Sequence, residues 1–199
     1  MILGDFGVTN GINPGAKIIE MTTSSPALAV RIEAEMKSKN AEVLDAPVSG
    51  GDLGARNRSL AIMCGGDRKT YEAVLPLLKI LGKEVRWFGA AGSGQKVKMS
   101  NQILIASTMI GTVEALLYAE RSGIDLAKMV DLLSKGAAGC WSLEKLGPRM
   151  LAQDWEPGFY IKHFLKDMSI ALEDCSKMNL RLKGLELAYE FYNRAKEIG

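Results

Sequence analysis

Three polar residues at the start of an otherwise apolar segment carry the first chemical signal. Lys98, Asn101 and Gln102 stand at i, i+3 and i+4 in QKVKMSNQ, so a helix places all three on one face. A cation near a helix N-terminus opposes the macrodipole, and burial among apolar residues adds a desolvation penalty. Both disfavour the ammonium, which suits a lysine that exchanges protons with a substrate at neutral pH. The competing reading is a solvated first turn, and Lys96, on another face, is read that way.

Two further segments have the residue types of a site. In DAPVSGG, residues 45 to 51, a strand ends in Ser49-Gly50-Gly51, whose exposed backbone N–H groups and hydroxyl could cradle a carboxylate or phosphate. A plain strand-ending turn explains the same residues. In KHFLKDMSIALED, residues 162 to 174, Lys166 and Asp167 open an amphipathic run, and Asp167 favours a helix start. His163, the only histidine, has no visible partners for a metal or a triad and is read as structural or exposed. Glu173-Asp174 is read as a solvated face, and no metal site is expected.

Just before Lys98 lies GAAGSG, residues 89 to 94, whose glycines read G-x-x-G-x-G, the reverse of a dinucleotide fingerprint. No strand follows its helix to complete a βαβ unit, and no acid waits for a ribose hydroxyl, so the loop fails as a nucleotide site. A tight strand-to-helix turn accounts for the three glycines but not for the polar face that follows.

The elements that must position these residues alternate through the first half. AKIIEM (16 to 21) reads as a buried strand, and Ser25-Pro26 as the cap and first residue of a helix to about Ser38. AEVLDAP and SLAIMCG read as strands, KTYEAVLPLLKIL as a helix bent by Pro76, and KEVRWFG as a strand. That pattern implies a parallel or mixed sheet covered by helices. Residues 94 to 122 form a long helix, apolar nearly all round and therefore expected to be buried on most sides, stopped by Gly123. Asp125 caps a helix to about Ser134, Gly147-Pro148 interrupts the next, and amphipathic runs at 162 to 178 and 184 to 197 follow. The fold class is thus α/β plus all-α, with the domain boundary at the glycine loop: 1–91 and 92–199.

Composition narrows the partners. A net charge of +2 without a single-sign run gives no footprint for nucleic acid. The closest approach to a membrane span, Ile103 to Leu117, is interrupted by Ser107, Thr108, Thr112 and Glu114, so no membrane partner is expected. Cys64, Cys140 and Cys175 are odd in number and lack C-x-x-C spacing, which fits a reducing intracellular compartment.

In this order the segments resemble the β-hydroxyacid dehydrogenase family, in its 3-hydroxyisobutyrate dehydrogenase-like branch. DAPVSGGDLGA (45 to 55) is similar to its substrate-binding D-x-A-P-x-S-G-G, and GAAGSGQKVK (89 to 98) to its catalytic G-x-x-G-x-G-x-x-x-K. KDMSIALE (166 to 173) is similar to its K-D-L-x-x-A-x-D, and MTTSSP (21 to 26) to its cofactor-side strand end. The resemblance implies a Rossmann-like NAD(P)-binding domain lacking its first βαβ, a long interdomain helix and a helical domain like that of 6-phosphogluconate dehydrogenase. It implies hydride transfer between NAD or NADP and a small 3-hydroxy acid or semialdehyde, a carboxylate substrate, with Lys98 as general acid/base. Ser49, Gly50 and Gly51 would hold the carboxylate, with Asn101, Gln102, Phe159 and Asp167 around the substrate, and Thr23 and Lys166 toward the cofactor.

Departures accompany the likeness. The family usually has asparagine four residues after its lysine, where this chain has Gln102. Arg58 stands where glycine is frequent, and Met168 and Glu173 replace leucine and aspartate. The family's first βαβ, with its G-x-G-x-x-G, has no counterpart, so weak cofactor binding and a hydrophobic sheet edge at AKIIEM are expected. The rival expectation is a truncated, non-catalytic oligomerisation module, a homodimer or homotetramer through the helical domain. A cytoplasmic location is the default, with a mitochondrial one left open.

Overall fold

The computed structural model describes residues 2–198. A 3₁₀ turn at Val8–Asn10 leads to β1 (Lys17–Glu20) and then α1 (Pro26–Ser38). The Ser25 hydroxyl accepts the Leu28 amide at 3.1 Å, and Pro26 sits where a missing N–H costs nothing. The run read as one strand is two, β2 (Glu42–Asp45) and β3 (Val48–Ser49). Pro47, between them, has no N–H for the ladder, although its carbonyl still accepts the Met63 amide at 3.0 Å. A short helix, α2 (Gly51–Arg56), follows without a sequence signal that had marked it. Next come β4 (Leu60–Gly66), α3 (Arg68–Leu81) and β5 (Gly82–Trp87). Asp67 caps α3 by accepting the Lys69 and Thr70 amides at 2.8 and 3.1 Å, and the helix continues through Pro76 to Leu81.

The sheet is mixed. β1 lies at an edge, parallel to β2; β2 and β3 run antiparallel to one side of β4, and β5 is parallel to its other side. Successive residues of β2 point to opposite faces, as the two-residue strand period requires. Leu44 enters a core with Ile62, Cys64, Val74 and Leu78, whereas Val43 packs with Ile32, Met36 and Ala41. Helices therefore cover both faces of the sheet.

Beyond β5 the chain is helical: α4 (Ser93–Arg121), α5 (Leu126–Leu133), α6 (Gly147–Leu151), α7 (Ile161–Lys177) and α8 (Lys183–Ile198). Gly123, at φ +71°, turns the chain after α4, and Asp125 caps α5 through the Lys128 amide at 3.0 Å. Gly147-Pro148 does not interrupt its helix. A π-helical stretch, Ser142–Leu146, runs into α6, and the proline occupies the first turn, where no amide donor is required. Leu116, Val130 and Leu143 form one core cluster of this half.

α4 corrects one expectation. Leu104, Leu117 and Tyr118 are 66%, 54% and 77% exposed, so the helix is not buried on most sides within the single chain. Its most apolar window has a mean hydropathy of 1.4, and by length and composition alone the helix could cross a membrane. The residues counted as interruptions weigh less than expected, because the Ser107, Thr108 and Thr112 hydroxyls donate to the Ile103, Ile105 and Thr108 carbonyls. The chain forms two compact units, Met1–Asn101 with Glu173–Met178, and Gln102–Leu172 with Asn179–Gly199, divided within α4.

Near the edge strand, Glu42 accepts Lys17 at 2.7 Å and the Thr70 hydroxyl at 2.9 Å. The Lys17 bond first, and then Thr70, hold its carboxyl below the ordinary value of 4.5. A lowered folded value gives stability that is present above pH 4.5 and lost as pH falls through the folded value. Glu42→Gln is expected to flatten the acid limb of a Tm-against-pH curve below pH 4.5; an unchanged limb contradicts this assignment.

Candidate active site

The reversed glycine pattern has an internal ligand. Asp45, at the end of β2, is 2% exposed; its Oδ1 accepts the Gly92 amide at 2.8 Å and its Oδ2 the Gln95 amide at 2.9 Å. The amides at the start of α4 thus serve a carboxylate of the protein itself, which both satisfies orphan helix donors and complements the positive helix end. Two glycines make the approach possible. A Cβ at Gly65 would lie 2.6 Å from the Gly94 nitrogen and 2.7 Å from Asp45 Oδ1. One at Gly94 would lie 2.7 Å from the Asp45 carbonyl oxygen and collide with that of Met63.

Gln95 extends the network to the loop that follows β1. Its side chain, 0% exposed, donates from Nε2 to the Thr22 carbonyl at 2.8 Å and to Glu20 Oε2 at 3.3 Å, and its Oε1 accepts the Ser24 amide at 3.0 Å. The segment on either side of Thr23 is therefore fixed to α4. Thr23 itself is half-buried. Asp45 and Gln95 were not singled out in the sequence, although an acid inside the apolar run EVLDAP was a readable signal.

The remaining candidates divide between the two units. In the first, Lys98 is 7% exposed, on the same helix that Asp45 caps; Asn101 is half-buried. Ser49 is half-buried in β3, opposite Ala61, and Gly50 and Gly51 adopt φ of +129° and +63°, conformations that glycine takes without strain. Asp45 thereby ties the Ser49–Gly51 segment and the Lys98 helix to one point. In the second unit, Gln102 donates to Asp167 Oδ2 at 2.7 Å, both residues being buried. Lys166 lies 2.9 Å from the other Asp167 oxygen, its own side chain 47% exposed. The amide in place of asparagine is thus held by a buried carboxylate. Phe159 is exposed, with its ring edge-on to Phe164 and tilted against His163, which is itself exposed.

Electrostatics separate the groups able to react from those held inert. Desolvation raises the Asp45 carboxyl above 3.8, opposed by the amides of Gly92, Gln95 and Gly94. Burial, and then the Asp45 charge, push the Cys64 thiol up to about 12, so it stays protonated and is a poor nucleophile. Among the described residues no group of three histidine, cysteine or acidic side chains is gathered to hold a metal.

Residues 1–89 match the family model described as the NAD binding domain of 6-phosphogluconate dehydrogenase. Residues 92–199 match the one described as NAD-binding of NADP-dependent 3-hydroxyisobutyrate dehydrogenase. An uncharacterized oxidoreductase of Bacillus subtilis, YkwC, is 48% identical over 96% of the chain and 66% of its own length. The probable 3-hydroxyisobutyrate dehydrogenase-like 1, mitochondrial, of Arabidopsis thaliana is 46% identical over 97% of the chain and 58% of its own length. The chain therefore spans less than two thirds of the length of either curated relative. The crystal structure of 3-hydroxyisobutyrate dehydrogenase (ygbJ) from Salmonella typhimurium superposes with a TM-score of 0.89 at 27% identity, covering 100% of this chain and 70% of that one.

The packing around Gly94 gives a paired test. Gly94→Ala is expected to destabilise the chain by about 1–3 kcal/mol through overpacking. Gly111→Ala, inside α4 with nothing within 4 Å of the added methyl, is expected to stabilise it by about 0.5–1 kcal/mol. Urea unfolding reads both, and equal effects contradict the close-approach argument.

Proposed function

The chain belongs to the β-hydroxyacid dehydrogenase family, and on that premise we propose that its chemistry is hydride exchange between NAD or NADP and a small 3-hydroxy acid such as 3-hydroxyisobutyrate, or the corresponding semialdehyde. The observation that carries the reading is a lysine 7% exposed on a helix whose first turn is pinned by Asp45, the acid that opens the Ser49–Gly51 segment. In the oxidative direction the Lys98 amine accepts the hydroxyl proton; in the reductive direction it returns a proton to the carbonyl oxygen. Ser49 and the amides of Gly50 and Gly51 hold the substrate carboxylate, so that the acid group and the reacting hydroxyl are oriented together. Gln102, one helical turn after Lys98 and held by Asp167, presents its amide to the substrate, as does Asn101. Phe159 keeps the substrate-side role and Lys166 the cofactor-side role that the family resemblance gives them.

The residues present fit one end of a dinucleotide. The Ser24 hydroxyl is buried without a hydrogen-bond partner among the described residues, next to Thr23 and just before the cap of α1, so Thr23 and Ser24 would hold the nicotinamide end. The cofactor, when bound, supplies the hydride acceptor or donor. The glycine-loop amides do not fit its diphosphate, since those of Gly92 and Gln95 already donate to Asp45.

The apolar surface of α4 favours a second reading, compatible with the first. With Leu104, Leu117 and Tyr118 exposed, the helix suits cover by a second copy of the chain, giving a homodimer or homotetramer through the helical half. In that case the 199-residue chain can act as an association module whatever its turnover.

Two outcomes test these readings. In the active enzyme, Lys98→Ala is expected to lower kcat by about 10²- to 10⁴-fold, and a loss smaller than about threefold rules out the proton-transfer role. In sedimentation equilibrium the chain is expected to run as a dimer or larger, and Leu117→Asp to shift it toward monomer; a monomeric parent chain refutes the association reading.

A further inference from the structure

We infer that Asp45 is a positioning residue for proton transfer: by holding the first amides of α4 it sets where that helix starts, and hence where the Lys98 amine stands. This rests on the reading of Lys98 given above. A side chain near the start of a helix inherits any rotation or shift of its first turn, and displacements of about 1 Å at a catalytic group cost on the order of a hundredfold in rate. The start of α4 has little freedom. Both Asp45 oxygens are engaged, at 2.8 and 2.9 Å, by amides three residues apart, so the carboxylate grips the turn at two points. Gly65 packs behind one oxygen and Gly94 behind the other, leaving no room for a methyl group at either place.

The same grip reaches the third segment of the site. Gln95, whose amide Asp45 accepts, uses its side chain to hold the Thr22 carbonyl and the Ser24 amide. One buried carboxylate and one buried amide side chain thus link the strand leading to Ser49, the helix of Lys98 and the loop of Thr23. Neither Asp45 nor Gln95 needs to touch the substrate. An asparagine at 45 keeps the shape but turns an NH₂ group toward an amide donor, so it can serve only one of the two amides.

The test uses Asp45→Asn and an internal control, Lys96, which is exposed two residues before Lys98. Reductive methylation with formaldehyde, read by mass spectrometry, should modify Lys98 at least about tenfold more slowly than Lys96 in the parent chain, and within about threefold of it in Asp45→Asn. In the active enzyme the variant should lose about tenfold or more in kcat while KM for the acid stays within about threefold, because Val48 and Ser49 remain held by their pairing with β4. A folded Asp45→Asn with Lys98 as slow as in the parent overturns the inference. Altered labelling with unchanged kcat leaves the positioning intact and removes instead the proton-transfer role of Lys98. Should the variant not fold, amide exchange in the parent decides: the Gly92 amide, held by Asp45, should be protected at least about tenfold, and exchange at the free rate overturns the proposal.

Discussion

A carboxylate almost fully buried, facing the amino end of a helix, is the constraint around which the site is organised. Burying the charge of Asp45 is costly, and the cost is tolerable because charge-assisted bonds from backbone amides are strong and the helix end is itself positive. Much of the surrounding sequence follows from that. Glycine is required at 65 and 94 because any side chain would enter the space of the carboxylate or the backbone it binds. The last glycine of the G-x-x-G-x-G spelling is thus a packing requirement for an internal anion, where the forward spelling serves an external phosphate.

Local features were the legible ones. Ser25 and Asp125 cap helices through bonds spanning three residues, so a short window of sequence contains both partners. Strand content was readable from apolar runs, and the opposite faces taken by Val43 and Leu44 follow from strand period alone. The Asp45 bond to Gly92 joins residues 47 apart in the chain, and no local pattern specifies such a pair. The π-helical stretch before Gly147 has no local sequence signal either. Nor has the exposure of α4: an apolar helix implies a covering, but sequence does not say whether the same chain supplies it.

The departures from the family pattern acquire physical content in the structure. Arg58, standing where glycine is frequent, has φ of +53°, a left-handed conformation that strains a residue with a Cβ and explains why glycine suits the position. Gln102, standing where asparagine is usual, still finds a buried carboxylate for its amide in Asp167. The longer side chain therefore keeps an oriented amide one turn beyond Lys98. Met168, in place of leucine, is fully buried, a swap of similar volume that cores accept readily.

The central claim concerns the place of one amine relative to a substrate. A crystal structure of the active enzyme with a 3-hydroxy acid and nicotinamide cofactor bound measures it most directly. The account predicts Lys98 Nζ within about 2.6–3.2 Å of the substrate hydroxyl, with the acid group on the Ser49–Gly51 turn. A substrate whose hydroxyl lies against a different proton-transferring side chain, with its carboxylate away from residues 49 to 51, would contradict it.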